Sequence, residues 1–181
     1  PELWYSWRHQ IKPIARAGYR VVVPDVRGYG GSDKPHAVEA YDMATLMDDL
    51  IGIIDAFGEA SAILVGHDWG APICWNTAAL HPERVAAVAA LSVPYRKRGK
   101  ASPIETVRRI YAGNFFYQLY FQAEGIAEAE LEADVRTSLR KIYFSISGDA
   151  RSLDGWLKRP EGGTLLERLI DPDVFPAWLT P

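Results

Sequence analysis

Residues Gly66-His67-Asp68-Trp69-Gly70 set one carboxylate between two glycines, directly after the apolar run Ser61-Ala62-Ile63-Leu64-Val65 and just before a helical pattern. A sharp strand-to-helix turn needs residues without bulk on either side, and it exposes the central side chain on a strained backbone. It also aims the free N–H groups and partial positive charge of the following helix at that side chain. An aspartate in this seat suits attack on a saturated carbon. A serine would leave an ether there, which water does not readily cleave, whereas a carboxylate leaves an ester whose carbonyl an activated water can attack. The leaving group then sorts the chemistry. An epoxide oxygen stays attached and needs a proton donor, while a halide departs and needs N–H donors such as indoles. The other role open to Asp68 is to cap the helix that follows.

The elements that must position this turn alternate in type. Residues 6–18 read as a helix stopped by Gly18, and Tyr19-Arg20-Val21-Val22-Val23 follows as a strand. Pro24 to Pro35 is a loop rich in glycine. Residues 42–57 form an amphipathic helix with Leu46, Leu50, Ile53, Ile54 and Phe57 on one face. Residues 61–65 suit a strand buried on both faces. A helix over 71–80 tolerates Pro72 in its first turn, and after the turn at His81-Pro82-Glu83-Arg84 a third strand spans 85–93. Strands and helices in this order make an α/β layer with a parallel sheet. From residue 97 the strands disappear. The basic stretch Arg96-Lys97-Arg98-Gly99-Lys100 reads as a solvated hinge, residues 103–122 and 126–146 read as helices, and Asp154 to Gly163 is polar and glycine-rich. The expected organisation is a partial α/β core over 1–96 and a mostly helical region over 97–181.

Composition narrows the function classes. The chain has 181 residues, 48% hydrophobic and 24% charged, with a net charge of −3, which is the balance of a globular chain of about one domain. That charge leaves no electrostatic footprint for nucleic acid or an anionic membrane. No apolar run approaches the ~20 residues of a membrane helix. Cys74 is the single cysteine, so an internal disulfide is excluded and a reducing, cytoplasmic compartment is expected. The loop Gly28-Tyr29-Gly30-Gly31-Ser32-Asp33 fails the dinucleotide pattern at its last place, and no metal or organic cofactor is expected. Trp4, Trp7, Trp75, Trp156 and Trp178 are expected in the core.

Three segments in order, Pro1-Glu2-Leu3-Trp4-Tyr5-Ser6-Trp7-Arg8, Asp25-x-Arg27-Gly28-Tyr29-Gly30-x-Ser32 and Gly66-His67-Asp68-Trp69-Gly70, resemble the soluble and microbial epoxide hydrolases of the α/β-hydrolase fold. Phe116-Tyr117-Gln118-Leu119-Tyr120-Phe121-Gln122 resembles a segment of that family's helical cap, so the resemblance runs from residue 1 to about 145. It implies that Asp68 is the nucleophile, that the backbone N–H of Trp69 is an oxyanion donor, and that Tyr117 protonates the opening oxygen. A phenol of ordinary pKa ~10 is a sensible acid for an alkoxide. Tyr120, three residues on, is the competing assignment. His67, Trp69, Tyr117 and Gln118 are the expected substrate contacts, with a small apolar epoxide and water as the partners.

The departures from the family pattern are equally specific. Of the His-Gly-Phe-Pro loop that carries the second oxyanion donor, only its last residue, Pro1, is present. The family's chain order places nucleophile, acid and histidine in succession, yet the last histidine is His81. His9 and His36 read as surface residues, His67 as a brace of the elbow, and His81 as part of a turn. The expectation is therefore an excerpt of a longer enzyme, able at best to form the ester without turning it over. The resemblance also implies a further strand between 19–23 and 61–65. The rivals are a haloalkane dehalogenase, which would use the Trp69 indole for halide, and a non-catalytic chain of the same fold.

Overall fold

The computed structural model describes residues 2–150 and 160–179. Packing divides the chain into two compact units, Pro1–Lys97 and Arg98–Pro181, and the exposed basic stretch 96–100 lies across that division.

The first unit is built around a parallel pair of strands. Short runs of Ile, Leu, Val and Ala form β1 (Ala62–His67) and β2 (Val85–Leu91), aligned so that Leu64 lies beside Val88 and Gly66 beside Ala90. Helix α1 (Arg8–Arg16) precedes them and stops before Gly18. Helix α2 (Met43–Ala56) starts where the Asp42 carboxylate accepts the Thr45 N–H at 2.7 Å, a side-chain cap on a free first-turn donor. Helix α3 (Gly70–Leu80) packs on both strands and on α2. The core lies between these elements: Met47 and Ile54 of α2, Leu64 of β1, and Ala71, Ile73, Cys74 and Thr77 of α3.

Two expectations for this unit are corrected. β1 is buried on one face only, because α3 covers Leu64 and Gly66 while Ile63 and Val65 remain 49% and 44% exposed. An apolar run therefore marked a strand without telling how many of its faces are covered. Residues 19–26 form no strand, although burial alternates along them as it would in one, with Val21, Val23 and Asp25 inward of Val22, Pro24 and Val26. Period-two sequence sets the direction of side chains, but a strand exists only through the hydrogen bonds of a neighbour. Among the described residues no ladder reaches this segment.

The loop after it is held by its own motif. The Asp25 carboxylate accepts the Trp4 N–H at 2.7 Å and the Gly31 N–H at 3.0 Å, and it occupies the place that a side chain on Gly30 would need. Arg27 makes a two-point ion pair with Asp49 of α2, at 2.8 and 2.6 Å. The glycines of this loop thus serve an internal carboxylate.

The second unit is helical, but its two long expected helices are each broken. α4 (Pro103–Ile110) ends before a left-handed turn at Gly113, and a single turn, α5 (Tyr117–Tyr120), follows. α6 (Ile126–Glu132) and α7 (Val135–Ser145) part at Asp134, whose side chain accepts the Thr137 N–H at 3.1 Å and so starts a new helix. Phe115, Ala127, Leu165 and Leu169 form the apolar centre, with Ser138 and Ser145 buried among the helices. Among the described residues no helix is long and apolar enough to cross a membrane. Of the tryptophans expected inside, Trp7 and Trp75 are half-buried, Trp4 and Trp178 are 46% and 51% exposed, and Trp156 lies outside the described residues. So do Pro1 and most of the polar segment 154–163.

The one-sided sheet separates two truncations of similar size. Ile73→Ala, in the covered core, is expected to cost about 2–5 kcal/mol, and Ile63→Ala, on the open face, about 0.5 kcal/mol or less. Urea midpoints of the two variants, compared with wild type, measure the difference.

Candidate active site

The chain leaves β1 at His67 and reverses through Asp68, whose φ is +49°. Left-handed backbone is costly for most side chains and least so, after glycine, for Asp and Asn. The Asp68 N–H donates to Leu91 O at 3.3 Å, which continues the β1–β2 pairing one residue into the turn, and the Ala71 N–H donates back to Asp68 O at 3.1 Å. A Cβ on Gly66 would collide with the Gly70 carbonyl and stand 2.8 Å from Ala71 N. Gly66 is therefore what lets α3 start directly against β1. Gly70 is different, since a Cβ there would meet nothing within 4 Å; the expectation that both glycines are needed for space holds at the first only.

The residue in the N-cap position of α3 is Trp69, and no side chain caps the helix. Asp68 therefore does not spend its carboxylate on capping. It is exposed, and no hydrogen bond to its side-chain oxygens is found among the described residues. The first-turn N–H groups of α3 have no intrahelical acceptors, and the positive end of the helix favours an anion at this turn. An oxyanion formed on the Asp68 carbonyl would lie in the same field. The Trp69 indole is 62% exposed.

His67 faces the chain's beginning, with Nδ1 3.8 Å from the Glu2 carboxylate. His81 closes α3 at its other end, where its N–H donates to Thr77 O. Eleven residues of helix separate it from the turn, about 16 Å at ~1.5 Å per residue, so it does not reach Asp68. His9 and His36 are exposed.

Sequence reasoning missed Ser92. It follows β2 with φ +70°, so both parallel strands end at the same edge in left-handed residues other than glycine. No pattern around Ser92 signals this; the conformation comes from the Leu91 carbonyl accepting both the Asp68 and the Val93 N–H. Beside α3 lies a cavity of about 130 Å³, walled by Trp75, Val93 and Tyr95, whose opening neither Asp68 nor Trp69 lines. Ligand pockets run to roughly 300–1,000 Å³, so this space is too small to be one.

In the second unit, α5 carries the two tyrosines in different surroundings. Tyr117 is 36% exposed and its hydroxyl accepts from Gln118 Nε2 at 3.3 Å. Its ring lies 4.9 Å from that of Phe116 and 6.2 Å from that of Phe121. Tyr120 turns inward, and its hydroxyl donates to the Glu130 carboxylate at 2.5 Å. Burial, together with that carboxylate, pushes the Tyr120 phenol up to about 12. A phenol so held is a poorer acid than an ordinary one, which counts against Tyr120 as a proton donor. Among the described residues no cluster of three or more His, Cys, Asp or Glu could hold a metal ion.

Residues 1–167 match the family model described as the alpha/beta hydrolase fold. Over 182 aligned residues the chain is 48% identical to Epoxide hydrolase A of Mycobacterium tuberculosis, covering 99% of this chain and 56% of that protein. Among solved structures, Epoxide Hydrolase A from Mycobacterium thermoresistibile is 46% identical with a TM-score of 0.90, covering 99% of this chain and 56% of its own. An epoxide hydrolase from an endophytic Streptomyces is also 46% identical, with a TM-score of 0.91 over 99% and 55%. The chain thus spans a little over half the length of these relatives.

Two measurements test the geometry of this unit. Gly66→Ala is expected to lower stability by about 2 kcal/mol or more through backbone collision, whereas Gly70→Ala has no such collision to relieve; denaturation midpoints report both. The Asp25 carboxyl is held below its ordinary 3.8 chiefly by the Trp4 N–H and then by the Gly31 N–H. A depressed carboxyl contributes stability above its unfolded value, and that contribution fades as pH falls through the lower folded one. Asp25→Asn should therefore flatten the acid limb below pH 3.8 in a tryptophan-fluorescence titration.

Proposed function

Since the chain belongs to the α/β-hydrolase fold family, we propose that it acts on small apolar epoxides through an ester on Asp68. A carboxylate oxygen of Asp68 attacks one epoxide carbon and forms a C–O bond. The bond from that carbon to the epoxide oxygen breaks, and the oxygen takes the proton of the Tyr117 hydroxyl. The product is a hydroxyalkyl ester of Asp68 and a Tyr117 phenolate, to which a proton returns from solvent. Hydrolysis would follow once a water is activated: water adds to the ester carbonyl, the Trp69 N–H stabilises the resulting oxyanion, and collapse releases a vicinal diol and the carboxylate. With no activating group assigned in this chain, the ester is expected to persist.

The observation that carries this reading is an exposed Asp at the left-handed strand-to-helix turn, where an ester-cleaving enzyme would present Ser. The identity to proteins named epoxide hydrolases supports the choice of substrate. The polar hydroxyl of Tyr117, set among Phe116 and Phe121, suits a substrate that is apolar apart from one oxygen. The Gln118 amide donates to the Tyr117 hydroxyl and leaves that hydroxyl's own proton available to a substrate oxygen. His67 and Gln118 complete the proposed contacts. Water activation is assigned to none of the four histidines. Water is the only co-substrate the reaction needs. A cytoplasmic setting is proposed on the single cysteine, Cys74, which forms no internal disulfide.

Intact mass after brief incubation with a small aryl epoxide tests the reaction. The expected result is a gain of one epoxide mass, absent in Asp68→Ala and formed about 10²–10⁴-fold more slowly in Tyr117→Phe. An adduct from an alkyl halide, lacking the halogen, with none from the epoxide would move the chain to dehalogenation. No adduct from either would withdraw the catalytic reading.

A further inference from the structure

A helix of four residues cannot hold a reactive side chain by itself, because one turn fixes many dihedral angles for a single hydrogen bond. α5 has that length, and no side chain caps its start at Phe116. A strong restraint lies at its other end. Tyr120 Oη donates to Glu130 Oε2 at 2.5 Å and lies 3.4 Å from Ile126 O. The same Glu130 carboxylate accepts the Leu165 N–H at 2.9 Å through Oε2 and the Leu166 N–H at 2.9 Å through Oε1. One half-buried carboxylate thus ties α5 to α6 and to the segment 165–166, which the buried Leu165 and Leu169 anchor in the unit's centre. Ser145 extends the tie, since its buried hydroxyl accepts the Ile170 N–H at 2.8 Å. Burial works against the charge on Glu130, yet the donors from Thr164, Tyr120, Leu166 and Leu165 outweigh it and keep the carboxyl below its ordinary value.

Tyr117 and Tyr120 stand three apart on this turn, so their side chains leave it as neighbours. Phe115 packs under Tyr120 at 5.5 Å between ring centres, and Phe116 stacks on Tyr111 at 4.0 Å. The held Tyr120 hydroxyl restrains rotation of the turn, which also carries Tyr117.

We propose that Glu130 is a positioning residue for Tyr117, acting through the Tyr120 hydroxyl and the 165–166 backbone and touching no substrate. This rests on the proposed role of Tyr117 as the proton donor. Glu130→Gln keeps the size of the side chain but replaces one accepting oxygen with a donor. An amide nitrogen in the place of Oε2 faces the Leu165 N–H and makes the Tyr120 hydroxyl an acceptor, and one in the place of Oε1 faces the Leu166 N–H. Either way a backbone donor loses its acceptor and the tie on α5 weakens. A misplacement of about 1 Å at a reacting group can cost on the order of a hundredfold in rate.

The test compares the rate of epoxide adduct formation, by intact mass, in wild type, Glu130→Gln, Tyr117→Phe and the double variant of the full chain. The expected result is a slowing of roughly 10- to 100-fold in Glu130→Gln and no further slowing when it is added to Tyr117→Phe, since both changes remove the same proton donor. A wild-type rate in Glu130→Gln overturns the proposal. So does an equal further slowing in the Tyr117→Phe background, which would mean a general loss of structure. Ring-labelled tyrosine NMR gives a second readout that needs no reaction: Glu130→Gln should shift and broaden the Tyr117 signals while Tyr19 and Tyr41 of the first unit keep theirs. Unchanged Tyr117 signals overturn the proposal. If wild type forms no adduct, the epoxide reaction itself is rejected and the Tyr117 signals alone decide the positioning role.

Discussion

At Gly66 the strand β1 and the first turn of α3 come so close that the Gly70 carbonyl and the Ala71 nitrogen fill the space of a side chain. Most of the first unit hangs on that contact. It lets α3 lie over both strands, which buries Ala71, Ile73 and Thr77 against the sheet. It also forces the chain to reverse within one residue, so Asp68 takes a left-handed conformation that its neighbours must sustain. The Leu91 carbonyl supplies part of that support by accepting the Asp68 N–H. The same constraint that packs the unit therefore sets a carboxylate in solvent at the positive end of a helix.

The second unit solves an analogous problem by other means. Here hydrogen bonds to one carboxylate help hold α5, and they use Tyr120, while Tyr117 is 36% exposed. The two tyrosines are chemically identical and only three residues apart. Their surroundings differ, since the Tyr120 hydroxyl is half-buried and donates to an anion while that of Tyr117 accepts from an amide. A charged acceptor favours the protonated phenol, which makes Tyr120 a good structural donor and a poor acid.

The motif Asp25-x-Arg27-Gly28-Tyr29-Gly30 shows how a recognisable pattern can be architectural. Its carboxylate accepts backbone N–H groups of Trp4 and Gly31, and its guanidinium pairs with Asp49. These bonds join the chain's beginning, the loop and α2 into the frame around the strands. The failed match to a dinucleotide fingerprint agrees with this, since the loop's interior is already filled by a side chain of its own.

Local chemistry written in the sequence was enough to locate the turn at 66–70, the helices α2 and α3, and two strands within a residue or two of their ends, expected at 61–65 and 85–93 and found at 62–67 and 85–91, because glycine spacing, capping and apolar periodicity act between near neighbours. The exposed Asp68 could be foreseen for the same reason. The left-handed Ser92, the Tyr120–Glu130 tie and the open face of β1 could not, since each depends on groups brought together from distant positions. Residues 19–26 mark the boundary most clearly. Their alternating side chains are a property of the sequence, but whether they form a strand is decided by a hydrogen-bonding neighbour, and no residue carries that neighbour in its own identity.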